Sequence, residues 1–285
     1  TGGAFIGGGN YADTVNGVRI WRGNRTPVAM GTGLEKVGLI ARRLRTGCSR
    51  LPGSRRNANP MLDYVAYVRK FVPKLAPLKV VIDGGYGTAG RVLEPVLSGL
   101  PIEMAPCHFD EDPHNPFLGR LFPCNALAAS VRAEMQKARA DFGAAFDFDG
   151  ERIAFFDERG RVLPDDAAAG LIASELLARA PGSSITCDLR ATASLRARIE
   201  REGGKALAAP VGRQPLGQHF RRNNSIYGVD LGGLHFFRDF FQFSSPVLAL
   251  LLFSAYVSRE RRPVSDLTAD LTQFVRSGEL TLSTP

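Results

Sequence analysis

Apolar runs and the residues that break them divide the chain into three stretches in which strand-like and helix-like segments alternate. The first stretch passes from a glycine-rich opening through an apolar strand at Val18, Ile20 and Trp21 to a helix predicted over residues 62–72, which Pro73 stops. The second opens with Leu78-Lys79-Val80-Val81-Ile82-Asp83, a near-continuous apolar run of the kind a strand shows when both of its faces are buried. The third opens with a predicted strand at 184–189, continues through a helix over 195–202 that ends at Gly203-Gly204, and returns as a strand at 206–209. Strand, helix, strand at this spacing predicts a parallel βαβ unit. Its recurrence in the second and third stretches predicts consecutive doubly wound α/β domains, with the polar joint Ala180-Pro181-Gly182-Ser183 as the boundary between them. The longest apolar run, residues 247–257, includes Ser254 and falls well short of the roughly 20 residues that cross a bilayer, so it predicts a buried helix and no membrane partner.

Composition narrows the picture. The 285 residues leave room for about two domains of ordinary size, and 44% hydrophobic content with charges mixed along the chain is the profile of a folded protein. Cys48, Cys107, Cys124 and Cys187 form no CxxC pair, so neither a zinc site nor a disulfide framework is expected, and a reducing cytoplasm fits. No positively charged segment followed by an apolar stretch opens the sequence, so no secretory signal is expected. The net charge is +8, and only six of the 36 basic residues are lysine, an arginine excess suited to phosphate. No basic run is interleaved with aromatics and no nucleic-acid-binding signature occurs, so arginines spread over a solvated surface account for the charge without a nucleic-acid partner. Nothing in the sequence sets an oligomeric state.

Two loops carry candidate chemistry. Asp83-Gly84-Gly85-Tyr86-Gly87-Thr88-Ala89-Gly90 has the glycine spacing of a dinucleotide fingerprint, but no clear acidic residue about 20 positions on ends a second strand; close packing of helix on sheet is the favoured role. Phe146-Asp147-Phe148-Asp149-Gly150-Glu151-Arg152 places three carboxylates at alternate positions around one glycine. Such a loop suits a single hard cation such as Mg²⁺ rather than the longer calcium hand. A charged hairpin corner, in which Asp and Gly merely make the turn, fits the same residues equally well.

The stretch Asp147-Phe148-Asp149-Gly150-Glu151-Arg152 resembles the DGDGDR metal loop of the phosphohexomutase family (phosphoglucomutases and phosphomannomutases), with Phe for one Gly and Glu for the last Asp. Val80-Val81-Ile82-Asp83-Gly84-Gly85-Tyr86-Gly87 resembles its VVxDxGNG turn, and His114-Asn115-Pro116 its HxP-type connection. Asp188-Leu189-Arg190 with Gly203-Gly204-Lys205 follows its third-domain βα pattern. Val211-Gly212 resembles TxVGH, Gly232-Gly233 with Phe236-Phe237-Arg238-Asp239 the end of the GEMSGHxFFRD sugar loop, and Arg276-Ser277-Gly278-Glu279 the close of the third domain.

The resemblance implies consecutive doubly wound, mixed-sheet αβα domains: residues 1–74 as the C-terminal part of a first domain, 75–180 as a second with the metal loop, 181–285 as a third with the sugar loop, and no fourth. It implies Mg²⁺ on Asp147, Asp149 and Glu151, a phosphoryl contact from Arg152, and Mg-dependent intramolecular phosphotransfer on a hexose phosphate or another phosphorylated small molecule. The family's phosphoserine falls on Gly9, which cannot carry a phosphoryl group, and its following lysine on Arg19. Arg190, Arg213, Asp230 and Gly232 fall at substrate-binding positions, with Arg213 where the family has histidine, and Gly232 and Leu234 where it has serine and histidine. The sugar loop at 230–235 is expected to face the metal loop. These replacements leave open a catalytically inactive relative that binds a phosphosugar, an anion or a protein partner.

Overall fold

The computed structural model describes residues 2–7, 16–43 and 54–273. Strands β1 (Gly2–Gly7) and β2 (Gly17–Arg22) form an antiparallel ribbon, followed by helices α1 (Leu34–Arg43) and α2 (Met61–Arg69). A first αβα unit contains β3 (Leu78–Asp83), α3 (Ala89–Leu97), β4 (Ile102–Cys107), α4 (Asn125–Ala138), β5 (Phe142–Phe146) and β6 (Ile153–Phe156). Helix α5 (Asp165–Leu177) leads to a second unit: β7 (Ser184–Asp188), α6 (Ala193–Arg201), β8 (Lys205–Ala209), α7 (Arg213–Arg222), β9 (Tyr227–Asp230), β10 (Leu234–Phe237) and β11 (Phe243–Ser244). Helices α8 (Pro246–Glu260) and α9 (Val264–Leu267) follow.

The two larger sheets repeat one plan. In the first the order is β4-β3-β5-β6, in the second β11-β10-β9-β7-β8. In each, the opening strand lies between two parallel neighbours reached by helical crossovers, and the sheet then closes with an antiparallel hairpin. The fold is therefore α/β with mixed sheets. Strand β3 explains its own sequence: Val80 and Ile82 pack into the main core, and Val81, pointing the other way, packs with Leu127, Val131 and Met135 of α4. Pro106, opposite Ile82 in the register, lies in β4, which is an edge strand where a missing N–H is tolerated.

Between the sheets lies one continuous core. Phe142 and Phe155 of the first sheet meet Phe253 of α8 at ring-centroid distances of 5.0 and 4.2 Å, and Ile185, Tyr227 and Val229 of the second sheet belong to the same cluster. Alanines 167, 168 and 169 and Gly170 let α5 pack closely in this layer; a Cβ on Gly170 would lie 2.5 Å from the Leu271 side chain. The apolar run at 247–257 is the buried α8, as its length predicts, and among the described residues no helix is long and apolar enough to cross a membrane. The ribbon and α1 contrast with this: α1 has no buried residue, and Ile6 and Val18 are 73% and 60% exposed. They meet the second unit through Trp21 against Phe243, edge to face at 6.2 Å, and through Gln214 Nε2, which donates to the Met30 carbonyl at 2.7 Å.

Candidate active-site cleft

Strand β5, buried along its whole length, delivers the chain to the acidic turn at the open end of the first sheet. Asp147 makes that turn. Its carbonyl accepts from Gly150 N at 2.9 Å, and its Oδ1 accepts from the amides of Glu151 and Arg152 at 2.8 and 2.9 Å. Gly150 takes φ of +65°, a conformation that other residues reach only with strain. The hairpin-corner reading of the sequence thus holds for Asp147 and Gly150. It does not hold for Asp149 and Glu151, whose carboxylates leave the turn for arginines elsewhere.

The glycine turn after β3 supports this loop from behind. A Cβ on Gly85 or Gly87 would overlap the carbonyl oxygens of Phe146 or Phe148, and one on Gly90 would lie 3.0 Å from the Phe109 ring. These glycines permit close packing, the role favoured from the sequence. Asp83, fully buried, pins the turn by accepting from Gly85 N at 2.8 Å and pairs with His108 Nδ1 at 2.7 Å. The Asp83 carboxylate holds the His108 imidazole above its ordinary pKa.

Arg19 of β2 contacts Glu151 Oε1 and lies 3.6 Å from Asp149 Oδ2. Arg213, the first residue of α7, donates to Glu151 Oε2 at 2.6 Å. Burial pushes the Arg213 guanidinium below its usual range, while Asp149, Asp147 and Asp230 pull it back. Asp149 Oδ1 is buried with no hydrogen-bond partner. Among the described residues no three His, Cys, Asp or Glu side chains gather closely enough to hold a metal ion as they stand; Glu151 is engaged by two arginines and Asp147 Oδ1 by two backbone amides.

The second sheet supplies the facing wall. Asp188, fully buried at the end of β7, accepts from Arg190 N at 2.8 Å and Leu231 N at 2.9 Å, and its Oδ2 binds Arg190 Nη2 at 2.7 Å. Arg190 also reaches Asp230 Oδ1 at 3.2 Å. Burial raises the Asp230 carboxyl above its usual range, opposed first by Arg190. The loop at 230–235 faces the acidic turn, as expected: Ile153 N, just past that turn, donates to Gly233 O at 3.1 Å. Arg152 sits against Gly233, where an added Cβ would lie 3.2 Å from the arginine's own Cβ. A Cβ on Gly232 would come within 2.9 Å of Asp230 Oδ1. Gly9 lies outside the described residues, as do Arg276, Ser277, Gly278 and Glu279.

Two family models match in tandem: phosphoglucomutase/phosphomannomutase alpha/beta/alpha domain II over residues 62–160 and domain III over residues 164–274. The chain belongs to the phosphoglucomutase/phosphomannomutase family. It is 27% identical over 284 residues to the phosphohexose mutases of Xanthomonas campestris pv. campestris, covering 98% of this chain and 63% of that protein. To the phosphomannomutase of Salmonella typhimurium it is 29% identical, covering 93% and 60%. The chain thus spans less than two thirds of the length of these relatives. A solved family protein from Burkholderia thailandensis superposes with a TM-score of 0.81 at 22% identity, over 93% of this chain and 57% of that one, a likeness of fold.

Within this phosphohexomutase frame, the structure brings Arg19, Asp149, Glu151 and Arg213 into one cluster and Arg190, Asp188 and Asp230 into another, within each other's electrostatic reach. Sequence reasoning placed no role on Asp188, which orients Arg190 and the loop at 230–235 together, nor on the Asp83–His108 pair. An acidic residue closing an apolar strand ahead of a turn was the available signal for both.

Proposed function

We propose that the chain forms the metal-bearing and sugar-facing walls of a phosphohexomutase-class cleft, acting on a hexose phosphate by Mg²⁺-dependent intramolecular phosphotransfer. The observation that carries this reading is the meeting of Asp149, Glu151, Arg19 and Arg213 at the open ends of both sheets, opposite the Asp188–Arg190–Asp230 cluster. Hexose phosphate is the substrate class that the names of the relatives suggest. Residues 1–74, 75–180 and 181–285 are read as three structural units around it. Cys107, Cys124 and Cys187 are free thiols, in keeping with a reducing cytoplasm.

Asp147, Asp149 and Glu151 would hold the magnesium. Their hard oxygens are the donors such a cation takes, and Asp149 Oδ1 is buried without a hydrogen-bond partner, but the three carboxylates would have to draw together around it. When bound, it would neutralise charge on the transferring phosphoryl group. The arginines do the rest: Arg19, Arg152 and Arg213 hold phosphoryl oxygens, and none of them takes a proton, since a guanidinium stays protonated. Arg190, fixed by Asp188, presents its charge towards the sugar side beside Asp230 and Gly232.

A second reading, binding without turnover, is favoured by Gly9 at the phosphoserine position, which has no group to accept a phosphoryl. Incubation with glucose 1,6-bisphosphate, followed by intact mass with and without magnesium, separates the two. No covalent phosphate, together with a rise in melting temperature on adding glucose 1-phosphate or mannose 1-phosphate, would favour binding without turnover. A stoichiometric phosphate on Tyr11 or Thr14 would instead mark a relocated nucleophile and an active mutase. If neither sugar phosphate nor inorganic phosphate shifts the melting temperature, both readings fail.

A further inference from the structure

Glu151 is the third carboxylate of the acidic turn, yet both of its oxygens are taken, one by Arg19 and the other by Arg213 at 2.6 Å. The two guanidiniums come from opposite sides of the turn, one from the ribbon and one from the head of α7. A cation that binds the same carboxylate competes with two positive charges already held there, one on each oxygen. Beside Glu151, Asp149 gives one oxygen to Arg19 at 3.6 Å and keeps the other buried without a hydrogen-bond partner. Arg213 is more than half buried and surrounded by acids. It has an alternative partner in a phosphoryl or sulfate oxyanion, which offers a guanidinium the same paired oxygens as a carboxylate does. The first turn of α7 favours that exchange, since its N–H groups also attract an anion.

We propose that Arg213, with Arg19, is a latch on Glu151: an internal cation that occupies the third metal ligand until an oxyanion draws the arginine away. The inference rests on the reading that this turn takes magnesium, and makes Arg213 a positioning residue that couples metal to phosphoryl ligand. By linkage the coupling is reciprocal: whatever factor the anion adds to metal affinity, the metal adds to anion affinity.

The test is calorimetric titration of the full chain with MgCl₂, in chloride and in sulfate at matched ionic strength. The proteins are the wild type, Arg213→Gln, Glu151→Gln, the double variant and Asp149→Ala. We expect Arg213→Gln to bind magnesium about tenfold more tightly than the wild type, within the usual range of coupling between two sites. Sulfate should tighten magnesium binding to the wild type several-fold and have no such effect on Arg213→Gln, which separates latch opening from sulfate bridging directly to the metal. Glu151→Gln should abolish both gains, alone or in the double variant. Should Arg213→Gln fail to fold, sulfate on the wild type against Glu151→Gln decides by itself. Equal magnesium affinity in wild type and Arg213→Gln, unmoved by sulfate but lost in Asp149→Ala, overturns the latch and leaves the metal reading standing. No magnesium heat in any protein overturns both.

Discussion

The acidic turn at 147–152 and the turn at 157–161 are built alike, at opposite ends of β6. Each opens with a buried aspartate, 4% exposed at Asp147 and 2% at Asp157, and each closes with a glycine at positive φ, +65° at Gly150 and +71° at Gly160. In each the aspartate Oδ1 accepts two backbone amides and its carbonyl accepts the glycine N–H at 2.9 Å. In the second turn Asp157 Oδ2 is bound at 2.7 Å by Arg161 of the same turn, and the one further carboxylate, Glu158, accepts from Ser265 N at 3.0 Å and from its hydroxyl at 2.6 Å. The first carries two further carboxylates that no turn requires, and these reach Arg19 and Arg213 in distant parts of the chain. Setting one turn against the other isolates the residues that the turn itself does not need and that meet distant arginines instead: Asp149 and Glu151. What turn geometry leaves unexplained is what a ligand would explain.

The comparison can be broken by experiment. The largest effect is expected at Gly87, whose missing side chain lets the glycine turn press on the Phe148 carbonyl. Gly87→Ala should destabilise by about 3 kcal/mol in urea denaturation, because neither backbone can yield without moving the acidic turn. A loss below about 1 kcal/mol would mean that the two loops are not clamped together. Next come the turn-making aspartates. Asp147→Ala and Asp157→Ala should each lose roughly 2–3 kcal/mol by stranding two amides. Only the first should disturb magnesium binding; an equal disturbance by both would dissolve the distinction.

An acid titration tests the scaffold behind the sugar loop. His235 is fully buried, bonded through Nδ1 to the Tyr227 hydroxyl at 2.6 Å, and desolvation lowers its pKa to about 3. The folded pKa lies below the unfolded one, so the unfolded chain takes up the proton first as pH falls. The contribution of His235 to stability is therefore complete above about pH 6.5 and declines towards pH 3, by about 1.4 kcal/mol for each unit of pH. Melting temperatures of wild type and His235→Gln should converge as the solution is acidified. Parallel curves would show that the imidazole is not held neutral. The smallest change in stability is expected at Asp149, where Ala should stay within about 0.5 kcal/mol of the wild type while removing the magnesium heat. A stability loss as large as that at Asp157 would return Asp149 to the class of turn residues.

Elements whose residues act locally were legible in the sequence. The apolar runs of β3 and β7, the buried α8, and the glycines after β3 all follow from period, length and backbone freedom. Strand β1, Gly-Gly-Ala-Phe-Ile-Gly, was not, because glycine disfavours strands and only pairing with β2 holds it. Nor was β4, whose Pro106 argues against a strand until the edge position is known. In the cleft, the acidic turn was visible because its residues are contiguous. That Glu151 meets an arginine 62 positions later was not, since nothing local to either residue encodes the other. The second turn, ten residues downstream of the first, was the unused comparison: the same Asp-to-Gly spacing with one extra carboxylate, Glu158, bound to Ser265, in place of two that meet distant arginines.

The core shared by both sheets has a consequence for what the cleft can recognise. With Phe142 edge-on and Phe155 stacked against Phe253 in one apolar layer that also holds Tyr227, the two walls share a core, and moving one against the other would break the packing that makes them one solid piece. The span from the acidic turn to Asp230 is then a fixed gauge, which a ligand must match in length and cannot adjust. The third side carries Arg19 on a ribbon whose contacts with the solid piece, among the described residues, include Trp21 against Phe243, the Gln214–Met30 bond, Arg25 over the Phe241 ring and the ion pairs of Arg19 itself. Tolerance for ligands of different length would therefore be set by the N-terminal ribbon, and substitutions at Trp21 or Gln214 would tune it without touching a ligand.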